Sequence, residues 1–190
     1  METELVKYLL KHTTLPDEVI KEVVETSVIK SFEKRTILLK EGEIPDKCYL
    51  VLKGCIRCYL LRDGEENTVE FYTEEQPVSP FNLIKGVPSE HYLECIEDTV
   101  VCISTSEHES KMFEKFPELE SACRIVGEAM MSNYQTSFAN YKTASAEERY
   151  LSLLRERPDL IQRVPQYMLA SYLGIKPESL SRIRKRLNKK

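Results

Sequence analysis

The run Gln166-Tyr167-Met168-Leu169-Ala170-Ser171-Tyr172-Leu173-Gly174-Ile175-Lys176-Pro177-Glu178-Ser179-Leu180-Ser181-Arg182-Ile183 decides how the chain is read. Leu169 and Leu173 stand four apart and give a first helix one apolar face, and Ala170 is small enough for a second helix to cross closely. Gly174 supplies the positive φ of a tight turn, Ile175 plugs the gap, and Pro177 opens a second helix. Stepped at 100° per residue, Leu180, Ile183 and Leu187 lie within about 60° of one another and face inward. Glu178, Arg182, Lys185 and Lys189 lie on the opposite side, flanked by Ser179, Ser181 and Arg186, while Arg184 points towards the inner side. The spacing predicts a helix-turn-helix.

Charge agrees with that reading. The 190 residues carry a net charge of −4, but residues 142–190 hold 12 Lys+Arg against 5 Asp+Glu, a balance of +7. Residues 1–141 are left with 15 against 26, a balance of −11. A basic end on an acidic chain is a footprint for a polyanion; nucleic acid fits, with an anionic membrane surface as the competitor. In a recognition helix the early exposed positions meet base edges and the later ones meet backbone. Arg182 is then the leading base reader, since a guanidinium pairs in a bidentate way with guanine O6 and N7, and Glu178 can accept from cytosine N4. Lys185, Arg186, Lys189 and Lys190 are expected on phosphate. Gln166, Ser179 and Ser181 complete the candidate DNA contacts.

Upstream, Pro117 can open a helix that then runs without proline to about Tyr141. Leu119, Cys123, Val126, Met130, Tyr134, Phe138 and Tyr141 advance in steps of three or four, one stripe along roughly 37 Å of helix. Such a helix overhangs a domain of this size, so the stripe is expected to be the seam of a homodimer.

Between about residues 28 and 104 the apolar period switches to two. Short β-rich runs are punctuated by Glu41-Gly42-Glu43, Lys53-Gly54, Asp63-Gly64 and Gln76-Pro77, the pattern of an antiparallel jelly roll. Residues 2–26 read as two amphipathic helices. The fold class is therefore α+β. Residues 1–116 are expected to form a β-roll effector domain with N-terminal helices, 117–143 a dimerisation helix, and 144–190 the DNA-binding domain. Six cysteines (Cys48, Cys55, Cys58, Cys95, Cys102, Cys123) read as reduced thiols packed as small hydrophobes. Cys55-x2-Cys58 is half of a zinc pair with no second half, and its odd spacing in a strand turns the sulfurs to opposite faces. No metal site is expected.

This order of helices, β-roll, long helix and helix-turn-helix resembles the Crp/Fnr family of bacterial transcription regulators over nearly the whole chain. Lys40-Glu41-Gly42-Glu43 and Tyr49-Leu50-Val51-Leu52-Lys53-Gly54-Cys55-Ile56-Arg57 are similar to the paired-glycine pattern of the family's cyclic-nucleotide-binding roll. Glu178 and Arg182 fall on the family's base-reading Glu and Arg, whereas Pro177 replaces its first Arg and Lys176 its oxygen-bearing cap. The resemblance implies a winged-helix-like head with the wing reduced or absent, since the chain stops at Lys190. It also implies double-stranded DNA, RNA polymerase and a small-molecule effector as partners.

The phosphate-binding cassette departs from the family. The segment Pro80-Phe81-Asn82-Leu83-Ile84-Lys85-Gly86-Val87-Pro88-Ser89-Glu90-His91-Tyr92 lacks the ribose-binding Glu, and Ser89-Glu90-His91 stands where the phosphate-binding Arg belongs. A buried phosphate without that partner is uncompensated, so the effector is expected not to be cyclic AMP. Ser79, Asn82, His91 and Tyr92 are the candidate lining of a pocket for another effector. The alternatives are a ligand-free dimeric DNA-binding regulator and a haem-, metal- or thiol-based sensor built on the roll. No Cys precedes Cys48, so the family's N-terminal iron–sulfur cluster is not carried over. No cofactor is expected, and the only histidines are His12, His91 and His108.

An enzyme is not indicated. No H-x-H, H-x-E, G-x-S-x-G, Gly-rich phosphate loop or H-E-x-x-H appears. No uninterrupted apolar run approaches the length of a bilayer span. The acidic start Met1-Glu2-Thr3-Glu4 is unlike a secretory signal, so a cytoplasmic protein is expected.

Overall fold

The computed structural model describes residues 2–12 and 14–187. The side chain of His12, together with Lys189 and Lys190, lies outside the described residues. Helices α1 (Glu2–His12) and α2 (Asp17–Thr26) precede strands β1 (Val28–Phe32), β2 (Ile37–Leu39), β3 (Lys47–Lys53), β4 (Ile56–Arg62), β5 (Glu65–Tyr72), β6 (Pro77–Val78), β7 (Tyr92–Cys95) and β8 (Thr99–Thr105). Helices follow to the end: α3 (Ser106–Lys115), α4 (Pro117–Thr143), α5 (Ala146–Glu156), α6 (Pro158–Arg163), α7 (Gln166–Tyr172) and α8 (Pro177–Leu187). This is the mixed helix and antiparallel-sheet architecture that the two periodicities predict.

The strands make two four-stranded sheets, ordered β1-β8-β3-β6 and β2-β7-β4-β5. Period two explains the roll's core. Tyr49 and Val51 from β3, Ile56 and Cys58 from β4, Leu93 and Cys95 from β7, and Val101 from β8 alternate into one buried cluster. Strand β3 is buried on both faces, because Leu50 and Leu52 pack against Leu5 of α1; hence the continuous apolar run Tyr49–Leu52. Leu15 and Val19 meet Met112, Phe116 and Leu119 in a separate cluster under the helices. Gln76-Pro77 reads as a turn in the sequence, yet Pro77 and Val78 form β6, pairing with Leu50 and Tyr49 at the end of their sheet. An edge tolerates a residue that cannot donate to the ladder.

Two compact units separate: residues 1–58 with 72–131, and residues 59–71 with 132–190. The β4–β5 hairpin thus belongs with the C-terminal helices, and the division falls inside α4. In the second unit, Ser145 caps α5 in a capping box with Glu148. Leu153, Leu160, Met168, Leu169, Leu173, Leu180 and Ile183 are buried there.

The 27 residues of α4 extend about 40 Å. Of its stripe only Leu119 is buried. Val126 and Met130 are half-buried, Cys123 is exposed, and Tyr134, Phe138 and Tyr141 are 43%, 61% and 46% exposed. With Ile125 and Met131, also exposed, they leave an apolar surface on this helix.

Candidate nucleic-acid interface

The α7–α8 pair is built by a short-range backbone pattern. The Gly174 N–H donates to Ser171 O at 2.9 Å and the Ile175 N–H to Ala170 O at 3.0 Å, with Gly174 at φ +64°. These are the paired bonds of a Schellman stop, which requires a left-handed residue at this point. The same glycine lies against the Tyr141 hydroxyl, so a methyl group here would collide with it. Tyr141 in turn carries the Arg149 guanidinium, 4.6 Å above its ring. Ala170 is fully buried where the helices meet.

Helix α8 divides as the sequence predicts. Leu180 and Ile183 are buried and Leu187 half-buried, while Glu178, Ser181, Arg182, Lys185 and Arg186 are exposed. Ser179 and Arg184 are half-buried. Arg182 makes a long contact from its Nη2 to Ser179 Oγ, 3.5 Å. Arg186 is ion-paired with Glu147 of α5, which ties one expected phosphate contact to the protein. Gln166 is exposed at the start of α7, beside Tyr167, which is 56% exposed and which no pattern in the sequence marks. Lys189 falls outside the described residues.

The candidate effector residues lie on the stretch between β6 and the start of β7. Asn82, at φ +70°, donates from Nδ2 to Pro88 O at 3.3 Å and so closes the 80–91 segment on itself. The His91 ring lies 4.1 Å from that of Phe81, and the His91 N–H donates to Ser89 Oγ at 3.0 Å. Ser79 is exposed and accepts a long contact, 3.9 Å, from the Cys48 thiol. Tyr92 alternates in β7 with Leu93, whose side chain belongs to the core. Ser89 is buried and its N–H donates to Glu43 O, while Gly42 N donates back to Ser89 O. Arg57, which the sequence shows only as part of the glycine pattern, is fully buried with Glu94 3.8 Å away. In β4 it has the opposite parity to Ile56 and Cys58 of the core.

Burial pushes the Cys48 and Cys95 thiols up to about 11, and raises that of Cys102 as well. Protonated thiols are poor nucleophiles and poor ligands at neutral pH. Cys55 and Cys58 are both buried. Among the described residues no group of three or more His, Cys, Asp or Glu is placed to hold a metal ion, and no helix is long and apolar enough to cross a membrane.

A second polar cluster leaves no mark in the sequence. The Tyr172 hydroxyl donates to Glu70 Oε1 at 3.2 Å, and Arg157 Nη1 donates to Phe71 O at 3.4 Å. Burial raises the Glu70 carboxyl, opposed by the Phe71 N–H, Arg157 and Tyr172. Burial and then Glu70 raise the Tyr172 phenol.

Comparison with known proteins agrees with this architecture. Residues 29–116 match the family model of the cyclic nucleotide-binding domain. No curated protein matches the chain. Among solved structures, the c-di-GMP-responsive global regulator CLP of Xanthomonas campestris is 17% identical, with a TM-score of 0.71 over 92% of each chain. A CooA mutant from Carboxydothermus hydrogenoformans is 16% identical, with a TM-score of 0.66 over 95% of this chain and 83% of that one. The catabolite activator protein of Thermus thermophilus is 15% identical, with a TM-score of 0.58 over 96% of this chain and 87% of that one. Residues 29–116 thus form a roll similar to cyclic nucleotide-binding domains, and the chain has the fold of Crp/Fnr-type regulators.

Proposed function

We propose that the protein is a homodimeric, sequence-specific DNA-binding transcription regulator whose roll answers to an effector other than cyclic AMP. The observation that carries this reading is α8: its inner face is buried on α7 while Glu178, Arg182 and Lys185 stand together on the open face. That is the geometry a major groove accepts, with the early residues at base edges. A dimer reads a near-palindrome with half-sites about 34–36 Å apart. The fold of the structural neighbours and the +7 balance of residues 142–190 support it.

Arg182→Ala should cost about 1–3 kcal/mol on the preferred site and relax base choice at one position per half-site. Lys185→Ala should weaken all sequences alike and shrink the salt slope by about one for each phosphate no longer neutralised. A binding selection from random duplexes with wild type and both variants separates the two roles. Unchanged base preferences in the Arg182 variant would remove it from the reading head.

The cassette residues support the effector assignment. Ser89 is buried with its hydroxyl closed on the His91 backbone, and Glu90 beside it is exposed. Neither position offers the guanidinium that a buried cyclic phosphate needs. Arg57 is already placed beside Glu94. Titration calorimetry with millimolar cyclic AMP should give no saturable heat, and a micromolar isotherm would overturn the assignment.

A further inference from the structure

The β4–β5 hairpin is stiff by construction. Asp63 at φ +52° and Gly64 at φ +80° form its two-residue turn, and positive φ at both positions is the signature of the type I′ turn that matches strand twist. Its two strands enter and leave through the roll's core, with Ile56 and Cys58 at one root and Tyr72 at the other.

Between those roots, β5 is the edge of its sheet, and an edge strand presents backbone groups that need partners. The Thr68 N–H donates to Ser171 Oγ at 2.8 Å, and the Ser171 hydroxyl donates to Glu66 O at 3.0 Å. One hydroxyl therefore satisfies a donor and an acceptor two residues apart on the same edge. The next residue, Tyr172, donates to the Glu70 carboxylate and sets its ring edge-on to Phe71, 5.4 Å between centroids. Arg157 holds the Phe71 carbonyl.

Ser171 and Tyr172 are the last two residues of α7, and Ser171 O also accepts the Gly174 N–H that closes the turn. The hairpin therefore grips the turn between α7 and α8 from behind, leaving Arg182 and Lys185 exposed. We propose that this hairpin is a strap that pre-positions the α7–α8 head for DNA by holding the end of α7. The proposal rests on the DNA-binding reading.

The mechanism is preorganisation: a head held in its binding arrangement has less ordering cost to meet on association. The test compares full-length wild type, the double variant Ser171→Ala/Tyr172→Phe, and Ser171→Thr, which keeps the hydroxyl. Each is titrated with the duplex selected for wild type and with a random duplex, and amide hydrogen exchange is followed at Thr68. In the double variant, exchange at Thr68 should accelerate and affinity for the selected duplex should fall about tenfold. Random-duplex affinity should stay within about twofold, because phosphate contacts do not need a fixed head. Ser171→Thr should behave as wild type.

Accelerated exchange with unchanged or higher specific affinity would overturn the strap. Equal losses on both duplexes would mean general disruption and would overturn it too. A wild type that prefers no duplex over random DNA fails at the first titration; that result overturns the DNA reading itself, and the strap with it.

Discussion

Gly54→Ala should destabilise the roll more than any other glycine substitution outside the α7–α8 turn. Gly54 follows β3 at φ +103°, a conformation that costs an L-residue about 1–2 kcal/mol. A methyl group there would sit 2.6 Å from Thr99 Oγ1, 2.7 Å from Thr99 Cα and 2.8 Å from Asp98 O. Two of those three atoms are backbone, so no rotamer change relieves the contact. Thr99 itself is buried, and its hydroxyl donates to Glu97 O at 2.8 Å. Cys55 and Ile56, next in the chain, are fully buried. Overpacking a tight interior costs a further 1–3 kcal/mol, roughly. Together these are a large part of a typical stability of about 5–15 kcal/mol. Thermal melting by circular dichroism should fall by about 4–20 °C, at about 2–4 °C per kcal/mol for a chain of this size. Gly64→Ala is the control: Gly64 is also left-handed, at φ +80°, but nothing lies within 4 Å of where its Cβ would stand. It should carry the conformational cost alone. Equal melting of the two variants would show that the Thr99 contact does not decide the effect.

Met130→Glu should turn the protein into monomers. Beyond Ala122 no described residue of α4 is buried, yet its stripe continues through Val126, Met130, Tyr134, Phe138 and Tyr141. Apolar surface on that scale marks an interface more often than a solvated face. In a two-fold seam the same residue recurs on both partners, so one substitution places two carboxylates at the interface. Burying them unpaired costs several kcal/mol, far more than losing the Met side chain's packing. Light scattering at micromolar concentration should report a dimer for wild type and a monomer for the variant. Specific DNA affinity should then fall by about 100-fold or more, because two half-sites are no longer engaged together. A variant that stays dimeric would move the seam elsewhere, and a monomeric wild type would remove it.

What the sequence determined by itself is what depends on near neighbours along the chain. Leu169, Leu173, Leu180 and Ile183 announce the α7–α8 pair because helical burial repeats every three or four residues, and Gly174 announces its turn because a left-handed residue is needed there. Alternation at Tyr49/Val51, Ile56/Cys58 and Leu93/Cys95 announces the roll in the same way. The open face of α8 follows from its helical period, so the candidate DNA contacts Glu178, Arg182 and Lys185 are legible in the sequence alone.

Only the tertiary structure decided which distant groups meet. Arg186 reads as one more exposed cation of α8, and only the fold brings Glu147, 39 residues away, beside it. Pro77 reads as a turn until its strand is placed at the end of a sheet. The contact between the His91 and Phe81 rings joins two ends of the 80–91 segment that no spacing in the sequence pairs. Ser171 reads as one more polar helix position, yet its hydroxyl takes up the edge of a strand 103 residues earlier. Periodicity records which face of an element is buried and is silent on what covers it. An edge strand's unpaired N–H and C=O groups, like a buried charge, must find partners wherever the chain's path brings them. That path is set by how the whole core packs, and no local pattern in the sequence contains it.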